Sequence, residues 1–388
     1  MKLIVIGLGQ CGSRIADEFA RLNNRAKSQR GIEICPGVFA VNTDAADLSG
    51  LTTIKSDYQH RILIGGRKTG GHGVGKINEL GAEIAREDAD KVVDALRGAK
   101  RFYETDAFLL IASAGGGTGS GSLPIITQHV KERFMDKPVY AMVVLPFEHE
   151  EQNEERAVYN TAVCLKSTSS VADAVFIVDN QRYVRKDFSL RYNLNQINEL
   201  MVEPFYNLLC AGEEKQSRKV GAKTLDAGDT IQTLSGWTVI GHGRSQLGFH
   251  MNVGGSDFRE KSKETHKGIQ AMDEAISELS TQVNAKDAGR ALYLIAAPPK
   301  EINMGLVKEL GDWLKDMAPN AVIRNGDYPV GKTLDITLIL SELSDVPKVR
   351  EYYSKSTQLI PIVKQRQEEC RIKLQSIDDA GRDIPTVF

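Results

Sequence analysis

In SAGGGTGSGS (113–122), five of the seven residues from Gly115 to Gly121 are glycine. So bare a run lets backbone N–H groups press against a ligand, and phosphate is the ligand such groups suit best. Thr118 and Ser120 add hydroxyl donors. A second glycine turn, GLGQCG at 7–12, fits the pattern GxGxxG, and Asp44 ends the next apolar run, where it can take a ribose hydroxyl. Alone, that turn is compatible with an NAD- or FAD-dependent oxidoreductase of Rossmann type, or with a tight strand–helix turn that binds nothing. Two such turns in one domain suit a ligand with three phosphates, each turn offering a helix N-terminus. Neither is a Walker loop, because no Lys-Ser or Lys-Thr closes the glycine run.

Both turns require a strand before them and a helix after them. KLIVI (2–6), VFAV (38–41), AFLLIA (107–112), VYAMVVL (139–145) and AVFIV (174–178) have strand length and little polar alternation, which marks a sheet buried on both faces and mostly parallel. Ile15, Phe19 and Leu22 share one helical face, and Leu123, Ile126, Val130 and Phe134 share another. The pattern predicts an α/β, doubly wound nucleotide-binding domain over 1–187. A long central helix over about 193–211, striped by Leu194, Ile197, Met201, Phe205 and Leu208, belongs to a connection at 188–216. A second, smaller α/β domain over 217–344 is built on WTVIG (237–241), RALYLIAA (290–297) and DITLIL (335–340). The tail, 345–388, is helix-prone and should break at Pro361.

Composition narrows the function. A net charge of −2 over 388 residues gives no general pull toward nucleic acid or anionic membrane. The apolar runs stop at strand length, which argues against direct membrane insertion. The five cysteines (Cys11, Cys35, Cys164, Cys210, Cys370) are scattered and form no CxxC pair, as expected of reduced thiols in a cytoplasmic protein. The seven histidines show no metal-ligand spacing.

Taken together, the motifs resemble the tubulin/FtsZ superfamily of GTPases. GGGTGSG (115–121) is similar to its signature loop. GQCGSRI (9–15) resembles the tubulin form of the first loop, NTDA (42–45) the second loop of FtsZ, and GGHGVGKINELG (70–81) the third, whose GHGVG core is closest to the archaeal CetZ branch. Pro146-Phe147 opens a longer, more acidic fifth loop, and VDN (178–180) resembles the sixth. The resemblance implies GTP or GDP as ligand. Gly9, Gln10 and Cys11 would hold the α- and β-phosphates, Gly115, Gly116, Gly117, Thr118 and Gly119 would wrap the β-phosphate, and Gly71, His72 and Gly73 would approach the γ-phosphate. It places Asp44 on Mg2+ through water. Asn180 and Asn198 would read guanine, with Leu194 packed on the base. Arg14 stands where tubulins carry Gln. Glu155 and Arg156 match the arginine region of the fifth FtsZ loop, with spacing two residues longer.

Catalysis is implied at KTLDAGDTIQTLSGWTVIG (223–241), similar to the acidic loop that carries NxDxxD in FtsZ. Asp226 and Asp229 match the aspartates, and Thr224 replaces Asn. Read without the family, Asp229 is an N-cap for the following helix and Asp226 a turn residue. In the resemblance this loop enters the next subunit's nucleotide site, so the implied partner is a second copy of the chain in a head-to-tail filament with a cytoskeletal role. A nucleotide-binding regulator that does not polymerise is the other reading. GRDIPTVF (381–388) resembles the terminal peptide by which FtsZ docks on an adaptor protein. Its other reading is an apolar end docked on the second domain after a helix striped by Val363, Cys370, Leu374 and Ile377.

Overall fold

The computed structural model describes residues 1–184, 190–246 and 257–381. The proposed adaptor peptide, centred on Asp383, Ile384 and Pro385, lies outside these residues. Strand and helix alternate from the start: β1 (Leu3–Leu8), α1 (Gly9–Arg30), β2 (Gly37–Asn42), α2 (Ala45–Ser49), β3 (Arg61–Leu63), α3 (Gly66–Thr69), α4 (Asn78–Glu87), α5 (Ala89–Arg97), β4 (Ala107–Ser113), α6 (Thr118–Arg133), β5 (Val139–Leu145), α7 (Glu148–Asn153), α8 (Glu155–Ser169) and β6 (Ala174–Asp179). The central segment is α9 (Leu190–Val202), α10 (Pro204–Ala211) and α11 (Ala227–Thr233). Then come β7 (Gly236–Ser245), α12 (Asp257–Ser277), β8 (Ala288–Ala296), α13 (Met304–Met317), β9 (Val322–Tyr328), β10 (Leu334–Leu343) and α14 (Pro347–Gly381).

The ten strands of the described residues form one sheet in the order β3-β2-β1-β4-β5-β6-β7-β10-β8-β9. It is parallel from β3 through β7, while β10 runs antiparallel to β7 and β8. In β1, Val5 faces Val38 of β2 and Leu109 of β4 across the ladder. The two halves of the chain meet at a short seam, where Ala174–Phe176 of β6 pairs with Gly236–Thr238 of β7. Alternate residues of β1 serve opposite faces. Ile4, Ile6 and Leu8 join a core with α4, α5, α6 and α8, whereas Leu3 and Val5 join one with α1, α9 and α10. Burial on both faces is why these strands read as unbroken apolar runs.

Two strands were not legible in the sequence, β3 and β9, and they are the two edges of the sheet. An edge strand pairs on one side and meets water on the other, so it tolerates polar residues such as Arg61 or Arg324, Asn325 and Asp327. The single central helix expected over 193–211 is interrupted at Glu203, because Pro204 has no N–H to continue the ladder and instead starts α10. The break expected at Pro361 does not occur, since α14 is helical through it. The carbonyl left without a donor belongs to Thr357, which is exposed, so water can satisfy it.

Candidate functional site

The carboxyl ends of β1, β2, β4, β5 and β6 lie side by side, and the motif loops all leave from there. This is the end at which open α/β sheets bind ligands. Between these loops lies a pocket of about 280 Å3, lined by Gly9, Gln10, Cys11, Asp44, Gly73 and Gly115–Gly119, with Asn42, Asp47, Lys76, Pro146 and Glu150 on its walls.

The two glycine turns are packed on each other. Gly9 has φ +70°, a left-handed conformation that costs glycine nothing, and a side chain there would come within 2.9 Å of the Gly119 nitrogen. Gly117 faces the third loop, where a Cβ would stand 2.8 Å from the Ile77 nitrogen, and Gly121 lies against the Asn78 carbonyl. Gly116 differs: nothing lies within 4 Å of its Cβ position. Protein packing therefore requires glycine at 117, 119 and 121, whereas at 116 the side-chain position opens into the pocket. None of the described residues accepts a hydrogen bond from the Gly116 or Gly117 N–H.

The second and third loops form one wall. Ala45 N donates to Gly71 O (3.0 Å), Gly73 N donates to Thr43 O (3.2 Å), and Asp44 pairs with His72 in an isolated bridge. Asp44 caps α2, its Oδ1 accepting from Ala46 N (2.8 Å) and Asp47 N (3.1 Å). That leaves Oδ2 for an outer ligand, which fits a metal held through water. No group of three or more metal-ligating side chains exists among the described residues. Burial, with the Glu150 carboxylate beside it, pushes the Cys11 thiol up to about 12. Cys11 is thus a neutral thiol on the pocket wall. The walls hold Asp44, Asp47 and Glu150 but a single cation, Lys76, which is itself paired with Glu154. No arginine lines the pocket, so an anionic ligand there would meet mainly backbone N–H groups.

Several expected residues lie elsewhere. The Ser120 hydroxyl is no phosphate donor, because it is buried and bonded to the Gly116 carbonyl. Arg156 is ion-paired with Glu79 and stacks near Tyr159, and neither it nor Glu155 lines the pocket. Arg14 is exposed on α1, and of the third-loop residues Gly73 lines the pocket whereas Gly71 and His72 do not. Asn180 and Asn198 are both buried, and α9, which also carries Leu194, packs against α1 and the turn at 180–183. These three lie beyond the pocket lining, on the side toward β6. Asp226, not Asp229, is the N-cap of α11: its Oδ1 accepts from Asp229 N (2.8 Å), while Asp229 pairs with Arg324 (3.4 Å). Position N3, where Asp229 sits, is where a capping side chain finds its N–H, so the cap is three residues earlier than expected.

The sequence reading missed the residues that hold the loops. Asp47 accepts from Gln10 Nε2 (2.7 Å) and Asn42 Nδ2 (3.0 Å), joining the first and second loops. Thr43 and Thr118 hydroxyls meet at 2.6 Å. Asp327 of β9 accepts from Ala222 N (2.9 Å) and Lys223 N (2.6 Å), fixing the acidic loop from below. The i, i+3 spacing of Asp44 and Asp47 was the one available signal; the others depend on distant chain segments.

Residues 2–186 match the Tubulin/FtsZ family GTPase domain, and residues 187–358 match the tubulin-like CetZ C-terminal domain. The chain is 32% identical over 370 residues to the tubulin-like protein CetZ1 of Haloferax volcanii, spanning 90% of each. The chain belongs to the tubulin/FtsZ family, in its CetZ branch. The GDP-bound monomer of CetZ1 from that organism superposes with a TM-score of 0.79 at 28% identity, over 92% of this chain and 99% of the other. The GTPγS-bound protofilament of its CetZ2 gives 0.79 at 27%, over 94% and 100%. Membership in the tubulin/FtsZ family removes the oxidoreductase reading of GLGQCG. No described helix is long and apolar enough to cross a membrane.

Proposed function

We propose that this protein binds and hydrolyses GTP and assembles head-to-tail into filaments, the acidic loop of one subunit completing the GTPase site of the next. One observation carries the reading: the two halves of the site are at opposite ends of the sheet. The glycine loops leave the carboxyl end of β1. Asp226 and Asp229 lead into the amino end of β7, and a Cβ on Gly212 would touch both Asp226 and the nitrogen of Met1, just before β1 begins. The six residues of β1 alone separate these ends by about 20 Å. No bend of an exposed loop closes that gap within one chain, whereas a second subunit stacked on the first does. Such a contact is heterologous and does not close, so it propagates.

In this reading Gly9–Cys11 and Gly115–Gly119 bind the phosphates, Gly71–Gly73 contact the γ-phosphate, and Asn180, Asn198 and Leu194 recognise guanine. Mg2+ held through water at Asp44 would supply charge neutralisation. Asp226 and Asp229 from the neighbour would orient the attacking water. The CetZ2 protofilament with a GTP analogue supports assembly by analogy. A cytoskeletal role inside the cell, in shape, division or positioning, follows from filament formation.

The test is turnover against protein concentration. GTPase activity per subunit should rise steeply with concentration. Asp229→Ala and Gly116→Asp proteins, each inactive alone, should regain activity when mixed, because one contact joins an intact pocket to an intact acidic loop. Turnover independent of concentration, with no complementation, would instead favour a regulator that does not polymerise.

A further inference from the structure

Asn160 sits on α8, outside the pocket lining and fully buried. Its Nδ2 lies 2.9 Å from Lys76 O and 3.2 Å from both Gly115 O and Gly116 O. All three neighbours are carbonyl oxygens, so only the amide NH2 can face them, and the side-chain orientation is settled by chemistry. The contact has a geometric consequence for the signature loop. A trans peptide is planar, and its C=O and N–H point in opposite directions. Drawing the carbonyls of Gly115 and Gly116 back toward α8 turns the N–H groups of Gly116 and Gly117 the other way. Neither of those N–H groups donates to any described residue, and both glycines line the pocket. The same amide holds Lys76 of the third loop, so one side chain sets the third loop and the signature loop relative to each other.

We propose that Asn160 is a positioning residue that aims the Gly116 and Gly117 N–H groups at the phosphates of the bound nucleotide. The inference rests on the nucleotide reading of the pocket and assigns to α8 the job of keeping the loop in its anion-binding form. Ser120, whose hydroxyl also bonds Gly116 O, is the second anchor on the same peptide. An aspartate at 160 is isosteric but has no N–H. Ionised, it sets a negative charge against three carbonyls. Protonated, it can donate one hydrogen bond.

The experiment is GDP titration by calorimetry on the full chain, at about pH 5.5 and about pH 8, either side of a raised carboxyl pKa. Wild type sets the reference pH dependence, because the terminal phosphate of GDP itself titrates at about pH 6, and the variants are read relative to it. Asn160→Ala should weaken GDP by about tenfold or more, the loss expected when buried carbonyls lose their donor. Asn160→Asp should be weaker still at the higher pH and recover part of its affinity at the lower, a pH profile that a packing defect would not produce. Variants that bind GDP as wild type does, at both pH values, overturn the proposal. A wild type that does not bind GDP overturns the nucleotide reading itself. Should the variants fail to fold, hydrogen exchange on wild type decides. GDP should slow exchange of the Gly116 and Gly117 amides, and unchanged exchange in GDP-saturated protein would overturn the proposal.

Discussion

The two ends of the sheet are built on opposite plans. At the carboxyl end, loops are locked to one another by backbone contacts too close for any side chain, as at Gly9 against Gly119 and Gly117 against Ile77. At the amino end, Asp226 is exposed and Asp229 half-exposed; the first caps a helix and the second pairs with Arg324. The first arrangement preorganises backbone donors around a pocket within one chain. The second engages each carboxylate in a single local contact and leaves both at least partly at the surface, where another molecule can reach them. Rigidity thus belongs to the carboxyl end of the sheet, and exposed carboxylates to the amino end.

Substitutions can break that contrast. The largest effect should come from Gly12→Ala, whose Cβ would fall inside the Ile111 carbonyl oxygen of β4. Overpacking against backbone should cost about 3 kcal/mol or more, read as a fall in melting temperature. Gly116→Ala is the sharpening control, because its Cβ meets no protein atom. Its stability should change by less than about 0.5 kcal/mol while GDP affinity falls about tenfold. A destabilised Gly116→Ala would mean that loop packing, not ligand space, explains that glycine.

At the other end the effects should be smaller and separable. Asp226→Ala removes the cap and should cost about 1 kcal/mol in stability, whereas Asp226→Asn keeps a capping oxygen and should cost almost nothing. Both should lower GTP turnover with GTP binding intact. Turnover preserved in Asp226→Asn would show that Asp226 serves the fold alone. The smallest effect belongs to Arg324→Gln. Its pair with half-exposed Asp229 should contribute less than about 1 kcal/mol. Denaturant unfolding that shows a larger loss would mean that the acidic end is as rigidly built as the other.

Residue types and local spacing were enough to determine the central strands, the glycine turns that follow them and the family. Each of these signals occupies a few consecutive residues: an apolar run such as VYAMVVL needs no partner to be recognised, and neither does GGGTGSG. The edge strands β3 and β9 escaped because half-solvated strands carry no apolar run. The cap of α11 was displaced because two aspartates three apart are interchangeable until the backbone shows whose N–H is free. Tertiary structure alone decided which glycines are required by packing and which one faces open pocket space, since Gly116 and Gly117 are identical in sequence and differ only in what stands opposite. It alone brought Asn160 beneath the signature loop, 44 residues from Gly116 along the chain. It also set Asp226 at the far end of the sheet, because the distance between two loops depends on strand order and direction, which no local pattern encodes.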